Sequence, residues 1–149
     1  MQTLAKLIYF KILGWKLVGS FPQLDKCVVI VVPHTSWVDF LLGLLIRRVL
    51  NEDIHFIGKK ALFKPPFGWY FRWMGGTPID RKKVAKWRTG FYYIAKTAKV
   101  PIVMVAFDFG KKQIKISKPH YPTENKGEDF ATYKAFFKGV VGKVPENSF

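Results

Sequence analysis

Apolar residues dominate the first twenty positions, where charge enters only at Lys6, Lys11 and Lys16, at every fifth place. Five residues turn a helix by about 140° relative to the starting face, so these lysines share no stripe, and the pattern predicts a helix over 1–20 that is apolar nearly all round. The stretch is too short and too charged to span a bilayer, and no small-residue cleavage site follows it. Two placements fit: a helix lying in a membrane interface with snorkelling lysines, which the spacing favours, or a core helix whose lysines reach past their neighbours to water. Residues 27–33 form a short β-branched run closed by Pro33, the pattern of a strand buried on both faces and central in a parallel sheet. Residues 40–50 follow as a helix with Arg47 and Arg48 at its carboxyl end, where they complement the helix dipole.

Further along, residues 54–57 and 75–79 read as short strands, separated by a Pro65-Pro66 break and the aromatic run Trp69-Tyr70-Phe71-Arg72-Trp73, whose commoner reading is core and whose alternative is a surface that meets acyl chains or the bilayer. Trp87, Phe91, Ile94, Ala95 and Ala98 recur at helical spacing and predict one apolar face. Residues 100–107 form another apolar strand with Pro101 at its start, and residues 113–117 alternate as a half-exposed edge strand. A last helix carries Phe130, Tyr133, Phe137, Val140 and Val141 on one face, opens with Glu128 and Asp129, and stops at Gly139 or Gly142. Strands alternating with helices define an α/β fold, a mostly parallel mixed sheet flanked by helices, with an N-terminal interfacial helix, in a single domain over 1–149.

Composition narrows the class of partner. With 149 residues, 49% hydrophobic and 23% charged, the chain is one core-forming domain rather than a disordered segment. Twenty-five Lys and Arg against ten Asp and Glu leave a net charge of +15, which draws in phosphates on nucleic acid, on a membrane surface or on a small substrate. Aromatic residues at 17% suit either base stacking or a lipid interface, but no aromatic RNA-binding run is present. One thiol, Cys27, makes no internal disulfide, and three scattered histidines beside it make no zinc set, so a reducing compartment and no metal cofactor are expected.

Ligands of parallel sheets sit at the carboxyl ends of strands, which directs attention to the loop Pro33-His34-Thr35-Ser36-Trp37-Val38-Asp39. Ser36 followed three residues later by Asp39 makes an N-capping pair, and that alone accounts for Asp39. His34 lies just outside the cap, with a ring that titrates near neutral pH, and Asp39 is placed to fix its tautomer and stabilise its charged form. Ser36 as a covalent nucleophile is a third reading, weakened by its capping duty and by the absence of a Gly-x-Ser-x-Gly elbow.

His34 and Asp39, spaced H-x-x-x-x-D between an apolar strand and an apolar helix, resemble the first motif of the glycerolipid acyltransferases, which include the bacterial 1-acyl-glycerol-3-phosphate acyltransferases. Lys59-Lys60-Ala61-Leu62-Phe63 with the following Pro-Phe-Gly, and Gly75-Gly76-Thr77-Pro78-Ile79-Asp80-Arg81, resemble that family's second block, and Val100-Pro101-Ile102-Val103 its fourth, with Met104 where a second proline is usual. Between Arg81 and Trp87 the family carries a further helix, a strand and an E-G-T-R block that this sequence lacks. The resemblance spans about residues 28–107. It implies transfer of an acyl group from a thioester, on coenzyme A or acyl carrier protein and without a cofactor, to the hydroxyl of a lysophosphatidate-like acceptor at the cytoplasmic face of an anionic membrane, with no nucleic-acid partner. His34 would be the base and Asp39 its orienter. Arg81 would bind phosphate, Lys59, Gly75, Gly76 and Ser36 would line the substrate, and Pro101 would shape the acyl pocket. The rival is a non-catalytic basic module for anionic membrane or nucleic acid.

Overall fold

The computed structural model describes residues 2–32, 37–79 and 89–144. In chain order the elements are α1 (Gln2–Lys6), β1 (Lys16–Val18), β2 (Val28–Val32), α2 (Trp37–Leu50), β3 (Phe56–Lys59), α3 (Gly68–Trp73), β4 (Gly76–Ile79), α4 (Gly90–Ala98), β5 (Ile102–Asp108), β6 (Gln113–Ile116) and α5 (Lys126–Phe137). They divide into two compact units, one of Met1–Leu50 with Thr89–Phe149 and the other of Asn51–Arg88.

In the larger unit four strands are ordered β1-β6-β5-β2. β2 runs parallel to β5 with Val28 beside Ile102 and Val32 beside Ala106, β1 runs parallel to β6, and β5 and β6 are antiparallel. The fold is thus the mixed, mostly parallel α/β sheet that the alternation of patterns indicates, with two strand placements revised. β2 lies at the end of the sheet among the described residues rather than in its centre. β6 is not an edge, because β1 pairs along its outer side. Its alternation survives since Ile114 and Ile116 face the core while Gln113 and Lys115 are half-buried.

β5 is buried along its whole length because helices cover both of its faces. On one face Val103, Val105 and Phe107 join Ile114 and Ile116 of β6, Leu42, Ile46 and Val49 of α2, and Ala5, Tyr9 and Trp15 from the amino-terminal segment in one core. Strand side chains alternate, so Ile102, Met104 and Ala106 face the opposite layer, where α4 meets β2 and α5 meets β5. Complete burial of such side chains contributes about 1.5–3 kcal/mol each, which makes β5 the spine of this unit.

The amino-terminal helix is shorter than its pattern predicts. After α1 a π-helical stretch, Leu7–Ile12, ends where Gly14 adopts a φ of +67°, and the turn drops Trp15 into the core edge-on to Phe107 and Phe109, with ring centroids 6.4 and 4.9 Å away. Lys16–Val18 then becomes β1 instead of further helix. Ala5 and Tyr9 are buried, while Leu4, Leu7 and Ile12 stay exposed, so one apolar face packs and the other is open.

Two helices also differ in detail. α4 turns Tyr92 and Ala95 inward and leaves Ile94 and Ala98 exposed, a rotation of the expected face fixed by hydrogen bonds from the Tyr92 hydroxyl. α5 begins at an Asn125 cap, whose side chain accepts from the Glu128 amide, and stops at Gly139, where φ is +77°.

The smaller unit pairs β3 and β4 in parallel, Phe56 beside Gly76, and adds a 3-10 turn, Lys60–Phe63, and α3. The strand expected at 54–57 lies two residues later. The aromatic run, expected in the core, is the helix α3, and its Trp69, Tyr70 and Trp73 are exposed while Phe71 is half-buried. A helix of six residues has only one side to bury, and Phe71 takes it, edge-on to Phe63 with ring centroids 6.4 Å apart.

Candidate active site

α2 starts five positions after Val32, the carboxyl end of β2, and Asp39 is its third residue. Asp39, Leu42, Ile46 and Val49 recur at spacings of three and four, so the carboxylate continues the apolar stripe of the helix instead of joining its solvated side. Its side chain is 1% exposed. Carboxylates are almost never buried to that degree without charged or hydrogen-bonding partners, and the capping partner read for it, Ser36, lies outside the described residues. Position in the first turn also sets the acid against the positive end of the helix dipole. His34, Ser36 and Arg81 lie outside the described residues, as does the break in the family pattern between Arg81 and Trp87.

The other residues read as substrate-lining divide between the units. Pro101 is buried at the entrance to β5, and its carbonyl accepts from the Val28 amide at 2.9 Å, which locks the start of the β2–β5 pairing. Lys59 closes β3. Gly75 has a φ of +84° in the turn into β4, and its amide donates to the Arg72 carbonyl at 3.0 Å. A Cβ on Gly76 would come within 2.6 Å of both the Phe71 carbonyl oxygen and the Phe56 ring. Both glycines therefore have a structural reason to be glycine. Among the described residues no group of three or more His, Cys, Asp or Glu side chains converges to hold a metal ion, and no helix is long and apolar enough to cross a membrane.

A second buried carboxylate, which pattern reading passed over, stands in the first turn of α5. Asp129 is 2% exposed. His120 Nε2 lies 2.9 Å from its Oδ1, the Thr123 amide donates to Oδ2 at 2.7 Å, and the Thr123 hydroxyl reaches both oxygens at 3.1 Å. Tyr92 Oη is 2.9 Å from Oδ2 and 2.8 Å from the Thr123 carbonyl, two acceptors for one proton. Burial alone would raise this carboxyl, but the hydrogen bonds from His120, the Thr123 amide and Tyr92 outweigh it and hold Asp129 below the usual carboxylate range. In return, burial and the bond to Asp129 push the Tyr92 phenol up to about 12.

These contacts tie the connection between β6 and α5 to α4. His120 also bridges to Ile102 at the amino end of β5, which through its parallel register with β2 is the end opposite Val32. The arrangement anchors the chain at the end of the sheet where parallel folds do not bind ligands. Its sequence signal was faint: His120, Thr123 and Asp129 follow no motif, and only the placement of Asp129 four residues before Tyr133 and eight before Phe137 marks an acid on an apolar face.

The buried acid after a parallel strand, in an α/β sheet, is the setting of a sequence match. Residues 18–88 match the acyltransferase family, a segment that contains β2, α2 and the whole smaller unit. In that segment the sequence is similar to the acyltransferases. Its structure is similar to that of PlsC, the 1-acyl-sn-glycerophosphate (LPA) acyltransferase of Thermotoga maritima, with a TM-score of 0.55 over 91% of this chain and 73% of that one, at 20% identity. A comparison with curated proteins found no match.

Proposed function

We propose that the chain is a membrane-associated O-acyltransferase that moves a fatty acyl group from acyl-coenzyme A or acyl carrier protein to the hydroxyl of a lysophospholipid-like acceptor, with 1-acyl-glycerol-3-phosphate as the first candidate and the cytoplasmic face of the membrane as its place of work. The observation that carries this reading is Asp39, buried on the inner side of the first turn after β2, within the segment that matches the acyltransferases.

An alcohol is a weak nucleophile at neutral pH. His34, five residues before Asp39, takes the hydroxyl proton as the oxygen attacks the thioester carbonyl. Asp39 holds the ring in one tautomer and stabilises the imidazolium that forms. When the tetrahedral intermediate collapses, the carbon–sulfur bond breaks and the proton on His34 passes to the leaving thiolate. Free backbone amides at the helix start, near Ser36 and Trp37, would stabilise the developing oxyanion. Arg81 offers planar, bidentate donors to the acceptor phosphate, with Lys59 adding positive charge and Gly75, Gly76 and Pro101 shaping the substrate's surroundings. No cofactor is required, and the anionic bilayer rather than nucleic acid is the charged surface involved.

The test is thiol release from acyl-coenzyme A by the full chain against a panel of lysolipid acceptors, with products identified by mass. The expected result is one new ester per thiol released, for a phosphate-bearing acceptor. Thiol release without any acceptor, which is hydrolysis, or none across the panel, as a non-catalytic basic module would give, contradicts the reading.

A further inference from the structure

The smaller unit carries an exposed surface that the chemistry above does not use. Trp69 and Trp73, four residues apart on one side of α3, are 70% and 72% exposed, and Tyr70 and Phe67 are exposed beside them. The rings form one cluster, with centroids 6.1 Å apart for Trp69 and Tyr70 and again for Tyr70 and Trp73. From rings that each present about 150–250 Å² in full, the patch exposes on the order of 500 Å² of aromatic surface, at the upper end of what soluble monomers leave open.

The helix is fixed from behind. Gly68 abuts the Phe63 carbonyl so closely that no side chain fits there, and Phe71 packs on Phe63 in the unit's own small core. The rings outside are therefore held outward by the packing inside.

Charge selects the occupant. From residue 54 to residue 79 the sequence contains no Asp or Glu but has Lys59, Lys60, Lys64 and Arg72. Lys64 and Arg72 are exposed, the one three residues before Phe67 and the other between Tyr70 and Trp73 in the chain. Indole and phenol rings partition to the boundary between headgroups and acyl chains, while flanking cations stay in the headgroup layer and attract anionic lipid.

We propose that the outer face of α3, formed by Phe67, Trp69, Tyr70 and Trp73 and accompanied by the exposed cations Lys64 and Arg72, inserts into the interfacial layer of an anionic lipid bilayer. This deepens the acyltransferase reading by naming a surface that meets the membrane, and it rests on that reading only for the expectation of a lipid substrate.

The experiment is flotation of the full chain with phosphatidylcholine vesicles, with and without phosphatidylglycerol, at 0.15 and 0.5 M salt, on the order of one and three times physiological ionic strength. The wild type is expected to float with the anionic vesicles, in part retained at high salt. Trp69→Ser/Trp73→Ser should lower the bound fraction at least tenfold with an unchanged thermal midpoint. Trp69→Phe/Trp73→Phe, which keeps the rings, should float nearly as the wild type does. Acyl chains brominated near the carbonyl should quench the wild-type tryptophan emission and leave that of the Phe variant largely unquenched.

The proposal is overturned if the Ser variant floats like the wild type, if only Leu4→Ser/Ile12→Ser abolishes flotation, or if the patch drives self-association or binds an oligonucleotide in place of vesicles. Thiol release is measured in parallel on a short-chain acceptor free in solution. Its absence with intact flotation would defeat the acyltransferase reading and leave this one standing, and the reverse pattern would do the opposite.

Discussion

Two helices of the larger unit begin with a buried aspartate, and the two serve different ends. Asp129 is surrounded by partners drawn from α4, from the connection before α5 and from His120, all within 3.1 Å, and it lies at the amino end of β5. Asp39 follows the carboxyl end of β2, in the segment that matches the acyltransferases. A histidine beside a carboxylate is therefore no signature of catalysis by itself. His120 is held by Asp129 and by the edge of the Tyr133 ring, 5.3 Å between centroids, and only 27% of its side chain meets solvent. What distinguishes the two acids is the end of the sheet at which each lies, because strand carboxyl ends carry the loops and helix starts that receive ligands in parallel folds.

The contrast can be broken at either acid. The largest effect is expected on catalysis at Asp39: Asn there keeps the volume but takes away the charge that orients and stabilises the base, and should lower kcat on the order of 10²–10⁴-fold, the range general-base assistance supplies. A kcat within a few-fold of wild type would place Asp39 outside the chemistry.

At Asp129 the effect should fall on stability instead. Asp129→Ala takes the acceptor from the Thr123 amide and the partner from the His120 ring, leaving the Tyr92 hydroxyl only the Thr123 carbonyl, and urea unfolding should show a loss of about 2–3 kcal/mol, with the rate per folded molecule unchanged. Activity lost in proportion to kcat rather than to folded protein would give the second pair a catalytic role.

The same carboxylate sets an acid limit. Its native pKa is depressed below the unfolded value, so its contribution is complete above the unfolded carboxylate range and is lost as pH falls through the native pKa. Denaturation midpoints taken from neutral to strongly acid pH should decline more steeply for wild type than for Asp129→Asn, and parallel curves would remove this group as the cause.

The smallest change is expected at Tyr133, whose buried hydroxyl has no hydrogen-bond partner among the described residues. Tyr133→Phe should shift stability by less than about 1 kcal/mol and in the stabilising direction, since an unsatisfied polar atom is removed. A loss larger than that would reveal a partner for the hydroxyl.

What could be read from sequence follows from how local each cause is. β2, α2, β5 and α5 were legible because each is a run whose own periodicity states which face is buried. The order of strands was not, since β1 is three residues long and owes its existence to pairing with β6 and to the turn at Gly14. The face of α4 was misread because Tyr92 is drawn inward by Asp129, 37 residues away. In the smaller unit the aromatic run was assigned to a core that a two-stranded sheet and a six-residue helix are too small to form around it. Of the site, motif spacing identified Asp39, while its burial required the fold. Its place on the stripe with Leu42, Ile46 and Val49 is nonetheless a sequence feature, shared by Asp129 with Tyr133 and Phe137, and in both helices the acid on the apolar face is the buried one.

The central claim is that acyl transfer runs on the imidazole next to the carboxyl end of β2 and not on the one at the sheet's other end. Thiol release measured side by side for His34→Ala and His120→Ala, each corrected for its folded fraction, tests it most directly. Loss of turnover in the first with near wild-type turnover in the second is the predicted result. A His34 variant that keeps its rate, or a folded His120 variant that loses it, contradicts the account.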